Sequence, residues 1–215
     1  MRAAFFDMDK TLVRVNTGRL YVRWRFARRE ASWREVARAT RWLAEYALGI
    51  VDPAEITEKA LATLEGVSEE AFIRELEGWY AEHVRPHVSA DARREVERRR
   101  AEGYRLVVLT ASTPYAAGPL ARELDIETVL ASELEVVDGR FTGRCAQLAY
   151  GAGKVSMAEA WAAREGVDLE ESVFYTDSVS DVPMLERVGG PYVVNPDVRL
   201  AWRARRSGWP VSRWR

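Results

Sequence analysis

Three short apolar runs in this chain, residues 3–6, 104–109 and 172–175, each stop abruptly at carboxylate or hydroxyl residues. Runs of that length suit strands buried on both faces of a parallel sheet. Parallel strands all end at one edge, where open α/β sheets bind ligands, so residues distant in sequence converge there. The first run delivers Asp7 and Asp9, the second Thr110 and Ser112, the third Asp177 and Asp181.

The segments between these runs fit the same architecture. Helical patterns over 89–101, 115–124, 151–165, 183–188 and 200–206 alternate with further short strands at 127–130 and 192–194. This alternation predicts an α/β fold with a doubly wound, Rossmann-like parallel sheet. An apolar–polar alternation on either side of Asp138-Gly139 predicts a small β-hairpin over 133–145. The exception is the stretch after the first strand. Residues 19–47, 53–64 and 68–83 all read as helix, with apolar spacings of three and four. No low-complexity linker borders this block. It reads as a helical cap, residues 15–84, inserted into a core made of 1–14 and 85–215. Its tryptophans, Trp24, Trp33, Trp42 and Trp79, are expected to pack inside it.

At 215 residues, 47% hydrophobic and 30% charged, the chain can bury a substantial core. A net charge of -1 gives no general case for nucleic acid as a partner. Nine arginines do crowd the stretch from Arg14 to Arg41, either as a solvated helix face or as a funnel for an anionic substrate. Cys145 is the single cysteine, which excludes an intrachain disulfide and points to a reducing compartment. The N-terminus lacks the apolar stretch of a cleaved leader, and no run approaches the roughly 18 apolar residues of a membrane span. A cytoplasmic location is expected.

Residues i and i+2 of an extended segment point the same way, so Asp7 and Asp9 can share one site. Their mutual repulsion calls for a shared proton or a divalent cation, and carboxylate oxygens beside a phosphate suit Mg2+. Lys154 opens a helix behind Gly151 and Gly153 and is one of only three lysines in a chain that otherwise uses arginine. A compact ammonium acts as a point charge on a phosphoryl oxygen. His83 and His87, which flank Pro86 where the chain returns to the core, are weaker candidates for acid–base or metal chemistry.

Asp7-Met8-Asp9-Lys10-Thr11, Thr110 after a strand, Lys154, and Asp177-Ser178-Val179-Ser180-Asp181 together resemble the four motifs of the haloacid dehalogenase-like superfamily, in order. The helical insertion resembles the cap of its phosphoserine-phosphatase-like branch. The resemblance implies a Mg2+-dependent phosphatase acting on a small-molecule phosphomonoester. Asp7 would be the nucleophile that forms an aspartyl-phosphate, and Asp9 the acid and then the base. Mg2+ would be held by Asp7, the backbone carbonyl of Asp9, and Asp177, with Asp181 in support. Thr110 and Lys154 would hold the phosphoryl oxygens, with Ser112 and Ser180 beside them.

The phosphoserine enzymes hold the substrate ammonium with a glutamate at the position that is Asn16 here, so a substrate other than phosphoserine is expected. Histidinol phosphate, phosphocholine, phosphoethanolamine and sugar or polyol phosphates fit, with Arg23 a candidate for a second anionic group. A phosphotransferase or phosphomutase on the same fold remains an alternative, as does a receiver-like phospho-acceptor module. Asp9 and the large insertion favour an enzyme over the receiver-like module. A catalytically idle binding protein is disfavoured by the intact motif residues.

Overall fold

The structure, a computed structural model, describes residues 1–28, Arg41 and 62–215. Six parallel strands form the central sheet. They are β1 (Ala3–Phe6), β2 (Arg105–Thr110), β3 (Thr128–Ala131), β6 (Val173–Thr176), β7 (Gly190–Val194) and β8 (Val211–Ser212). Their order is β3-β2-β1-β6-β7-β8. Strands β4 (Glu133–Val137) and β5 (Arg140–Gln147) pair antiparallel as a separate hairpin. The order reverses between β1 and β6, and such a reversal opens a crevice at the carboxyl ends of the strands. The sheet is the doubly wound one expected.

Strand β1 is buried throughout, and its alternation splits it between two cores. Ala3 and Phe5 join Val107, Leu109 and Phe174 on one face. That face is covered by α5 (Ala152–Glu165), α6 (Val182–Arg187) and α7 (Val198–Ser207) through Ala158, Trp161, Leu185 and Leu200. Ala4 and Phe6 face the other side with Val108 and Tyr175. There α3 (Ala90–Ala101) and α4 (Pro114–Glu123) pack through Val96 and Leu120. Ser89 caps α3, its hydroxyl accepting from Ala92 N at 3.2 Å.

Two described helices, α1 (Thr17–Ala27) and α2 (Glu69–Trp79), lie between β1 and α3. Phe72 of α2 meets Tyr115 of α4 and Phe141 of β5 with ring centroids 5.8 and 5.3 Å apart, which ties the insertion to the core. Tyr21 stands edge-on to Trp79 and beside Trp24, so both described tryptophans pack inside the insertion as expected. Trp33, Trp42 and the expected helices over 29–40 and 42–61 lie outside the described residues.

Two local features go beyond the sequence reading. The helix read over 68–83 ends as an α-helix at Trp79, widens into a π turn at Tyr80–Val84, and tightens into a 3-10 turn at Arg85–His87. Pro86 accounts for the change, because it has no N–H to donate and its ring clashes with the carbonyl four residues back. In the tail after α7, Val211 and Ser212 pair with Val193 and Val194 as a sixth strand. Two residues are too short to show a period of their own; the free edge of β7 supplies the partner.

Candidate active site

The β1–β6 ladder continues one residue past β1, where Asp7 N donates to Tyr175 O at 2.9 Å, and so places Asp7 at the sheet edge. The chain then folds back sharply, with Val13 N donating to Met8 O at 3.0 Å. Lys10 takes a left-handed conformation in that turn, and Asn195 Nδ2 pins its carbonyl at 2.9 Å.

Lys154 Nζ lies 2.7 Å from Asp7 Oδ1 and 2.7 Å from Asp181 Oδ2, and all three side chains are buried. Asp181 Oδ2 also accepts from Thr176 Oγ1 at 2.6 Å. Asp177 stands at the same edge, with Lys10 Nζ 3.2 Å from its Oδ2. Thr110 ends β2, and its hydroxyl accepts from Ser112 N at 3.1 Å, closing a tight turn. The strand ends that the sequence singles out are thus one edge. Ser112 lends this turn its backbone, while Ser180 Oγ contacts Ser178 Oγ at 2.9 Å. Arg23 is exposed on α1.

Asp9 is held differently. Its Oδ1 accepts from Thr17 N at 3.0 Å and Thr17 Oγ1 at 2.6 Å, and its Oδ2 accepts from Asn16 Nδ2 at 2.8 Å. Asn16 Oδ1 meanwhile caps α1 by accepting from Arg19 N at 2.9 Å, so both polar atoms of this side chain are engaged. Thr17 and Thr176 were not anticipated from the sequence. For Thr17 a signal existed, since Asn16 is an N-cap residue type just ahead of the helical pattern and places a helix start close to Asp9.

Lys154 is set by its glycines. A Cβ on Gly153 would lie 2.1 Å from the Leu148 carbonyl oxygen, a backbone atom that cannot swing away. Gly153→Ala is expected to cost roughly 1–3 kcal/mol, as overpacking typically does, and to displace Lys154. Urea unfolding checks the first effect and phosphate release the second.

Four carboxyls here (Asp7, Asp9, Asp177, Asp181) face two ammonium groups (Lys10, Lys154), an excess of two negative charges when all are ionised. Burial pushes the Asp7 carboxyl up to about 8; Lys154 opposes the shift, while Asp181 and Asp177 add to it. Burial likewise raises Asp177 to about 6 against the pull of Lys10. The Asp9 carboxyl is raised by burial, against its two bonds from Thr17. Burial works against the Lys154 charge, but Asp181 and Asp7 outweigh it and hold the group cationic.

A divalent cation fits this excess. Among the described residues, Asp7 Oδ2 and Asp177 Oδ1 receive no hydrogen bond from the protein. No three acid, imidazole or thiol groups among those residues close around one point as a complete cage. A magnesium ion needs none, since it keeps several waters and takes one or two carboxylates.

The raised carboxyls make the metal-free protein sensitive to base. Their folded pKa values lie above the unfolded value of about 3.9, so their contribution is fully present below about pH 4. It is lost as pH rises through about 6 for Asp177 and about 8 for Asp7. In chelator the melting temperature is expected to fall between about pH 5 and about pH 8, with Mg2+ restoring more of it at the upper end. Thermal melts with and without Mg2+ check this.

The fold and this edge define a class, and comparison with known proteins agrees. Residues 4–186 match the family model of haloacid dehalogenase-like hydrolases, and the chain belongs to that family. It is similar to phosphoserine phosphatase SerB1 of Mycobacterium tuberculosis, 35% identical over 99% of this chain and 71% of that protein. Histidinol-phosphatase of Neisseria meningitidis is 28% identical over 97% of this chain and 96% of that protein. Among solved structures, a protein of unknown function from Bordetella pertussis Tohama I superposes with a TM-score of 0.89 at 30% identity, covering 98% of this chain and 97% of that one. A substrate-bound phosphoserine phosphatase shares the fold, with a TM-score of 0.70 at 19% identity, covering 94% and 90%. No helix among the described residues is long and apolar enough to cross a membrane.

Proposed function

We propose that this enzyme is a Mg2+-dependent phosphatase that hydrolyses a small-molecule phosphomonoester through an aspartyl-phosphate on Asp7. The observation that carries the reading is the contact of Lys154 Nζ with Asp7 Oδ1 and Asp181 Oδ2 at 2.7 Å each. It holds one oxygen of Asp7 and leaves the other, which receives no hydrogen bond among the described residues, to act as the nucleophile. Asp7 attacks phosphorus, Asp9 gives its proton to the leaving oxygen, and Asp9 then takes a proton from the water that cleaves the intermediate. Thr110 and Lys154 hold the phosphoryl oxygens as charge builds on them. Bound Mg2+, held by Asp7, Asp177 and the Asp9 carbonyl with Asp181 behind them, would supply charge neutralisation at the phosphoryl group.

Residues 15–84 form the cap in this reading, which excludes water and selects substrate. The packing of Phe72 on Tyr115 and Phe141 supports its seat over the core. The relatives' names suggest phosphoserine and histidinol phosphate as substrates. Asn16 presents no carboxylate to an amino-acid ammonium, and its amide is committed to Asp9 and α1, which favours a substrate other than phosphoserine.

The test is phosphate release from phosphoserine, histidinol phosphate, phosphocholine, phosphoethanolamine and sugar and polyol phosphates, with Mg2+ and with chelator. Mg2+-dependent release that strongly favours one ester supports the reading and names the substrate. Phosphate passed to an added alcohol in preference to water would make the enzyme a transferase. Protein that is folded and metal-loaded yet releases nothing overturns the hydrolase reading.

A further inference from the structure

Both carboxylate oxygens of Asp9 are anchored by Asn16, the N-cap of α1, and by Thr17, its first residue, and by no group of the sheet among the described residues. Thr17 places two donors on the same oxygen, Oδ1, through its backbone N–H and its hydroxyl. Thr17 is buried at 3% exposure, so water does not readily replace that hydroxyl. An oxygen that already accepts two hydrogen bonds has no lone pair well placed to carry a proton. Oδ2 accepts one bond, from Asn16, and keeps a lone pair free.

We propose that Thr17 is the positioning residue for Asp9, holding Oδ1 as the acceptor so that Oδ2 carries the acidic proton toward the leaving oxygen. This rests on the hydrolase reading above. In the step concerned, a bond forms between Asp7 and phosphorus while the bond from phosphorus to the ester oxygen breaks. The electron pair leaves with that oxygen, which takes the proton from Asp9 Oδ2. Thr17 touches neither substrate nor phosphorus; it fixes the carboxyl plane and which of its oxygens is the acid. Because Thr17 belongs to α1, the aim of the proton donor is set by the insertion as well as by β1.

A group that matters through proton donation matters most when the leaving oxygen is a poor one. The experiment compares phenyl phosphate, with a poor leaving group, and 2,4-dinitrophenyl phosphate, whose leaving group needs no proton. The quantity read is the ratio of their kcat/KM values, which report the chemistry up to departure of the leaving group. Thr17→Val keeps the size and the backbone N–H bond and removes the hydroxyl donor. The ratio is expected to fall about tenfold or more in Thr17→Val, a share of the 10²–10⁴ that general acids contribute, and to return in Thr17→Ser. Thr17→Cys, near in size and a weak donor, takes the place of the valine variant if that does not fold. A merely structural Thr17 would lower both kcat/KM values together; an unchanged ratio, or a ratio that serine does not restore, overturns the proposal while the hydrolase reading stands. A wild-type enzyme that turns over neither these two esters nor any ester of the panel above overturns both.

Discussion

Asp7→Asn is expected to lower turnover by at least about 10⁴-fold, the scale on which nucleophile substitutions act, with the fold intact. The amide matches the carboxylate in shape and can still meet Lys154, but it lacks the charge and the nucleophilic oxygen needed to bond to phosphorus. The change also removes one of the buried carboxyls that repel one another, and burial is the main force raising the Asp7 pKa. The variant is therefore expected to be at least as stable as the parent in chelator. Loss of activity with retained or raised melting temperature is the signature of a chemical role. Phosphate release and thermal melts on the same preparation separate this from misfolding, and substantial residual turnover would remove Asp7 from the nucleophile's role.

Lys154→Met is expected to fail in the opposite manner, losing stability as well as activity. Its ammonium bridges Asp7 and Asp181, and its side chain is 3% exposed. Removing one partner of a buried ion pair leaves charge that neither water nor protein compensates, which typically costs about 3–5 kcal/mol. Urea unfolding in chelator reads that loss. The carboxyls can relieve part of it by taking up protons, so the cost is expected to grow with rising pH. Mg2+ should recover part of the stability, since it supplies positive charge at the same edge. Turnover is expected to fall about 10²–10³-fold even in saturating Mg2+, the size of the loss when one donor to a developing oxyanion is removed. Lys154→Arg should rescue little, because a planar guanidinium does not fit where one nitrogen sits 2.7 Å from two oxygens.

These two substitutions concern residues already legible in the sequence, for one physical reason. A strand buried on both faces is largely apolar, so the polar residues at its end stand out, as Asp7 does after Phe6 and Thr176-Asp177 after Tyr175. The register of β1 with β2 and β6 then aligns their ends without further information. Helix starts were also readable where a hydroxyl precedes the apolar period, as at Ser68 and Ser89.

What stayed hidden depended on contacts that the spacing of apolar residues does not encode. Strand β8 exists because β7 offers it an edge, and the π turn at Tyr80–Val84 follows from Pro86 acting on a helix that periodicity alone would have continued. Asn16 illustrates the limit most clearly. Its spacing from Asp7 marked it as the position where the phosphoserine enzymes carry a glutamate; only the folded chain shows its amide bonded to Asp9 and to the start of α1. By itself, the sequence determined the α/β class, the common edge and the acids, threonine and lysine that meet there, because burial and periodicity are local properties. The tertiary structure alone decided which oxygen each donor serves: Lys154 between Asp7 and Asp181, Thr17 on Asp9, Lys10 on Asp177. A hydrogen bond depends on a few tenths of an ångström between groups that only the packed chain brings together.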